Sequence, residues 1–227
     1  MLSQADHESI AAAVSRAEAR TDGEILCVLS HKVSNYRETP LAWGVIGAVV
    51  VPALAAAFGL HPWLVSQSGG DWVATNAVSL DASVRTALTG YAMLQVLIFL
   101  AVVLAVSLAT PLKLALTPKS LKLRRVRLAA MMQLRAVHLL GATSGVVVIF
   151  AAEAERMVTV VADEAIHLKA GDAAWDEAVA AVLAGIRSGD AASGFVAAVD
   201  ICGGYLADHF PATGERRNTL SDGLMEI

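Results

Sequence analysis

The sequence predicts an α/β protein in which a small sheet with packed helices is split by an inserted two-helix transmembrane hairpin. Three observations predict it. The composition, 56% hydrophobic against 17% charged with a mean hydropathy of +0.59, is too apolar for one ordinary water-soluble domain. Two runs, 41–60 and 88–112, contain no charged residue and are long enough to cross a hydrocarbon core of about 30 Å at 1.5 Å rise per residue. Outside them, apolar residues recur alternately at helical spacing and in short strand-like blocks.

Residues 1–40 form the first part of the domain. Ser3 with Asp6 reads as a capping box, and Ile10, Val14 and Ala17 repeat at helical spacing, predicting a helix over 4–20. Thr21-Asp22-Gly23 is a turn. Glu24 to Ser30 reads as a buried strand, with Cys27 on the Ile25/Leu29 face as a core thiol, because no cation stands near it in sequence to favour a thiolate. The helices over 41–60 and 88–112 flank a loop at 61–87, and Trp43, Trp63 and Tyr91 sit where an amphipathic ring meets a membrane–water boundary.

Orientation follows from the Lys/Arg bias. Lys113, Lys119, Lys122, Arg124, Arg125, Arg127 and Arg135 follow the second run, and no acid lies between Asp81 and Glu153; the 61–87 loop holds only Arg85 against Asp71 and Asp81. That loop is expected outside, with both termini and the domain in the cytoplasm of a multi-pass protein of the bacterial inner membrane. The N-terminal segment, with Asp6, Glu8, Arg16 and Glu18, does not read as a signal peptide. The helix expected over 119–138 places Leu121, Leu128, Met132 and Arg135 near one face, and its cations suit anionic lipid headgroups. The membrane itself is thus a partner, contacted through Lys113, Lys119, Lys122, Arg124, Arg125 and Arg127.

Residues 113–211 complete the domain. Val146 to Phe150 and Met157 to Val161 read as a hairpin of buried strands turning at Glu153-Ala154-Glu155. Asp172 is placed to cap a helix whose stripe is Trp175, Val179, Val182 and Ile186, ended by Gly189. Ser193 is placed to cap another, with Phe195, Val199, Cys202 and Leu206 buried and Pro211 as its stop. The tail 212–227 is polar and expected to be partly mobile.

Much chemistry is excluded. A balance of 17 Lys+Arg against 21 Asp+Glu argues against a nucleic-acid binder, as does the lack of stacking aromatics in the basic stretch. Two cysteines make no disulfide scaffold, and no CxxC pair, HExxH, P-loop or strand-led GxGxxG occurs. Ser144 in Gly141-Ala142-Thr143-Ser144-Gly145 precedes a strand rather than a helix, so it is no hydrolase nucleophile. His7, His31, His61, His138, His167 and His209 show no ligand spacing and read as isolated surface or packing residues. Asp172, Asp176 and Glu177 suit a helix dipole without a ligand. From Leu139 onward thirteen acids face five bases, an acidic balance that suits a solvated face.

Several short segments, taken in order, resemble the TPM domain family: Thr21-Asp22-Gly23-Glu24-Ile25, Gly145-Val146-Val147-Val148-Ile149-Phe150, Glu155-Arg156, Ala162-Asp163-Glu164-Ala165-Ile166, Trp175, the helix from Gly194 to Gly204, His209-Phe210-Pro211 and Asn218-Thr219-Leu220-Ser221-Asp222. A bacterial membrane branch of that family similarly interrupts the domain with hydrophobic spans. The resemblance implies an α/β sandwich and three activities: service as an accessory or interaction module for a membrane protein complex, divalent-cation binding and acid phosphatase activity. Metal-dependent phosphate hydrolysis needs carboxylates converging on a hard cation such as Ca²⁺ or Mg²⁺. The best candidates are Glu24, opening the first strand, and Asp163 beside Glu164, closing the third; they meet only if those strand ends share a sheet edge. Catalytic residues are not readable, and the expected function is the membrane-anchored interaction module, with a metal-dependent phosphatase-like hydrolase as the alternative.

Overall fold

The computed structural model describes residues 2–58, 77–139, 145–214 and 223–227. The chain divides into two compact units, Met1–Asn35 with Pro118–Ile227 and Tyr36–Thr117.

The first unit is a mixed α/β domain. Helix α1, Gln4–Glu18, starts at the expected capping box, with Ser3 accepting from the Asp6 amide and Asp6 from the Ser3 amide. It stops two residues short of expectation, because the Glu18 side chain is buried and its Oε1 accepts a hydrogen bond from Ile25 N at 2.8 Å at the start of β1, Glu24–Ser30. After α5, Lys119–Leu139, come β2, Val146–Ala152, and β3, Met157–Ala162. Helix α6, Glu164–Ala170, a 3₁₀ turn at Asp172–Trp175, α7, Asp176–Ser188, and α8, Ala191–His209, follow.

Two expected caps shift. The long helix begins at Asp176 rather than at Asp172, because the 3₁₀ turn buries Trp175 ahead of it. Asp190, not Ser193, caps α8: its carboxylate accepts from both the amide and the hydroxyl of Ser193. The tail holds one further correction. Leu224–Glu226 forms β4, so among the described residues the sheet has four strands rather than three, in the order β3-β2-β1-β4. β1 runs parallel to β2 and to β4, and β3 is antiparallel to β2.

Helices cover both faces of this sheet, which is why β1 and β2 are buried along their whole length. Ile25, Cys27, Leu29, Val147, Ile149 and Ala151 point into one core with Ile10 and Val14 of α1, Val182 of α7 and Phe195, Val199 and Leu206 of α8. Leu26, Val28, Val146, Val148 and Phe150 point the other way, against Val126, Ala130, Leu134 and Val137 of α5. Each such large side chain contributes about 1.5–3 kcal/mol by leaving water. Cys27 and Cys202 lie in the first core, as expected. Burial pushes the Cys27 thiol far above its ordinary range and the Cys202 thiol up to about 12, so neither supplies a thiolate.

In the second unit, α2, Glu38–Ala57, and α3, Ala77–Leu108, are packed along one another. Both start earlier than the uncharged runs and α3 ends sooner. At Ala109 the backbone turns to φ −96°, ψ 90°, and α4, Thr110–Leu116, restarts with Pro111 in its first turn, where a missing N–H costs nothing. Most of the expected 61–87 loop, with Trp63 and Asp71, lies outside the described residues, as do Ser144 and Asn218 to Asp222. Gly44 and Gly47 mark the closest approach of α2 to α3: a Cβ at Gly44 would stand 2.6 Å from Val103 Cγ2 and 2.9 Å from Phe99. At the hairpin base the Thr39 and Thr117 hydroxyls pair at 2.9 Å and Trp43 Nε1 donates to the Leu116 carbonyl at 3.2 Å.

Candidate functional site

Antiparallel pairing of β3 on β2 brings the end of β3 to the start of β1. Glu24 pairs with Val146 and Ala162 with Val147, so Glu24 and Asp163 occupy the same sheet edge, as the metal idea requires. Their surroundings are structural. The Asp163 amide donates to the Val146 carbonyl at 3.0 Å, its Oδ2 accepts from Val146 N at 2.9 Å, and its Oδ1 lies 2.5 Å from His138 Nε2 at the end of α5. Both oxygens are thus engaged in joining β2, the β3–α6 junction and α5. Glu24 is buried, its amide donating to the Gly145 carbonyl at 2.9 Å. Among the described residues no three His, Cys, Asp or Glu side chains gather in a way that could hold a metal ion.

The same edge explains several of the sequence segments as joints. Gly145 adopts φ +85°, which favours glycine, and a Cβ at Gly23 would stand 3.1 Å from the Gly145 carbonyl oxygen, so the Thr21-Asp22-Gly23 turn meets Gly145 through two glycines. Thr21 Oγ1 donates to the Phe210 carbonyl at 2.5 Å, Asp22 N to the same carbonyl at 3.2 Å, and Thr21 forms a bridge with Pro211. The Asp22 carboxylate accepts from the hydroxyl and amide of Thr213, and these bonds hold it below the usual carboxylate range. His209, expected in a surface or packing role, stacks on Tyr205 at 4.2 Å between ring centres, and Lys169 lies 4.3 Å over the Phe210 ring.

At the opposite edge, where the parallel strands β1, β2 and β4 end, the structure assembles a chain of groups that spacing in the sequence does not reveal. His31 Nδ1 lies 2.8 Å from Glu153 Oε2, its Nε2 is 3.9 Å from Glu226 Oε2, and Glu226 Oε1 is 3.3 Å from His7 Nε2. The carboxyl ends of parallel strands are where ligands collect in open α/β sheets. These four residues come from α1, the position just after β1, the β2–β3 turn and β4, and their side chains remain partly open to solvent. They tie the strand ends together. Beside them Glu155 is buried and accepts from Val33 N at 3.2 Å, a lock on the loop that leaves β1.

No protein-family model matches the chain, and no curated protein does either. Among solved structures, the chain is similar to the NMR structure of the BA42 protein from the psychrophilic bacterium Bizionia argentinensis. The likeness has a TM-score of 0.53 at 14% identity and covers 100% of this chain and 96% of the other. At that identity it supports the mixed α/β fold and nothing about chemistry.

Proposed function

We propose that the protein is a membrane-anchored, TPM-like interaction module that serves a membrane protein complex, with Tyr36–Thr117 crossing the bacterial inner membrane twice and the α/β unit on the cytoplasmic side. The surface of the hairpin carries this reading. Along Leu88–Leu108 large apolar side chains stand outward, Leu97 63% exposed and Leu104 60%, and both long helices have the length and composition of a membrane span. Water would leave that surface as one large apolar patch, whereas hydrocarbon solvates it. The cations of α4 and α5, Lys113, Lys119, Lys122, Arg124, Arg125 and Arg127, favour the cytoplasmic side and anionic headgroups.

Reporter fusions at both termini and within 61–87 test the topology. Cytoplasmic signals at both termini and an external signal from the loop are expected; external termini overturn the orientation, and release of the protein by alkaline carbonate overturns the anchor. The second reading, a divalent-metal-dependent phosphatase-like hydrolase, draws on the shared sheet edge of Glu24 and Asp163. Melting in detergent with chelator and then with millimolar Ca²⁺ or Mg²⁺ decides it. A ligand at 100 times its Kd adds about 2.7 kcal/mol to the folded state. A saturable rise in Tm that Asp163→Asn abolishes supports the metal site, and superimposable curves remove it.

A further inference from the structure

We infer that α5 is an interfacial helix whose outer face lies on an anionic lipid bilayer while its inner face holds the sheet, an inference that rests on the anchored reading above. Its inner face is settled by packing: Val126, Ala130, Leu134 and Val137 are buried in the second core. Opposite them, at steps of three and four residues, run Leu121, Arg124, Leu128, Met132, Arg135 and Leu139. Leu128 is 54% exposed, Met132 57% and Leu139 89%, with Arg124 and Arg135 exposed between them. A helix that only turned its back to water would carry mixed charges there. This face carries large apolar side chains and positive charge alone, and no acid occurs between Asp81 and Glu153.

That combination matches the headgroup–acyl boundary of an anionic membrane. Apolar side chains enter the boundary by about 5–10 Å while arginines remain at the phosphates. A second copy fits less well: two-fold pairing through this face would set the arginines of one helix against those of the other, with no carboxylate on either to answer them. Chain continuity agrees, because only residues 109–118 separate α5 from the end of α3.

The test uses the full chain in vesicles that contain spin-labelled phospholipid, with a fluorescent thiol label at Leu128→Cys, Leu97→Cys or Ala180→Cys; Cys27 and Cys202 are buried and give little background. In phosphatidylglycerol vesicles the label at position 128 is expected to be quenched, as at 97, and the exposed position 180 to stay bright. Changing Arg124 and Arg135 to Gln should lower the ratio of docked to undocked helix about fivefold per arginine, which is about 1 kcal/mol each. Quenching at 97 with none at 128 overturns the inference and leaves the anchor standing. No quenching at 97 overturns the anchor, and position 128 then answers independently for the helix face. Disulfide-linked dimers of the unlabelled Leu128→Cys protein, together with no quenching of the labelled form, place a second copy on the face and overturn the bilayer assignment.

Discussion

Phe150 and Phe195 in the α/β unit are fully buried, whereas Leu97 and Leu104 in the hairpin unit stand outward over more than half their surface. Small residues nevertheless do the same work in both. In the α/β unit Gly203 meets Ala17, where a Cβ would come within 2.5 Å of the Ala17 Cβ, and Gly185 meets Gly194 backbone to backbone. In the hairpin Gly44 and Gly47 admit Val103, Phe99 and Val102 in the same way. Close helix approach is thus a property of backbone and small side chains that needs no particular solvent, while the direction in which large apolar residues point depends on what surrounds the unit.

Substitutions can break this comparison. The largest effect is expected from Phe195→Ala, about 3–5 kcal/mol of destabilisation of the α/β unit from lost transfer energy and a cavity. The equivalent truncation Leu97→Ala should change the stability of the protein in detergent by no more than about 0.5 kcal/mol, as for other surface positions. Chemical or thermal unfolding of both variants in the same detergent checks this, and an equally large loss from Leu97→Ala would mean that α3 is covered by protein. Next come Gly203→Val and Gly44→Val, each expected to cost about 1–3 kcal/mol by overpacking. If both helix pairs depend on close approach, Gly203→Val lowers the melting of the α/β unit, and Gly44→Val weakens cross-linking between α2 and α3.

The smallest effect separates the units by pH. Asp22 and Asp190 are held below the ordinary carboxylate range, Asp22 first by the Thr213 hydroxyl and Asp190 first by that of Ser193. A depressed carboxyl contributes stability above its unfolded value, about 3.9, and loses it as the pH falls through the folded value. Relative to wild type, the Asp22→Asn and Asp190→Asn variants should therefore melt lower at pH 7, with the difference fading as the pH falls below the ordinary carboxylate range. The α2–α3 contact, whose apolar stretches carry no acid, should not follow that profile.

What the sequence disclosed was local. The capping box at Ser3, the strand at Glu24–Ser30, the hairpin of β2 and β3 and the buried stripe of α8 are all periodic or punctuated patterns that a single segment contains. β4 escaped notice because Leu224–Glu226 is too short to show a period, and β1 supplies its identity as a strand by pairing with it. The 3₁₀ turn was hidden because Asp172 looks like a cap whether or not a helix follows at once. At the candidate site, the shared edge of Glu24 and Asp163 could be posed as a condition but not answered, since strand order is a property of the whole chain. Asp163's engagement with His138, and the meeting of His7, His31, Glu153 and Glu226, join residues far apart in sequence, and nothing in their spacing announces them.

The central position of β1 bears on how the protein is made. Both of its strand neighbours, β2 and β4, are encoded after the hairpin, and 115 residues separate Ser30 from Val146. At a synthesis rate of about 5–20 residues per second, β1 waits on the order of ten seconds before β2 exists. During that interval seven residues destined for complete burial have α1 as their only finished neighbour in the domain, while the ribosome is delivering the apolar helices. A strand left with open hydrogen-bonding edges on both sides invites pairing with other nascent chains. Synthesis of Tyr36–Thr117 therefore spans the interval in which β1 is most exposed, and early cover for β1 governs the yield.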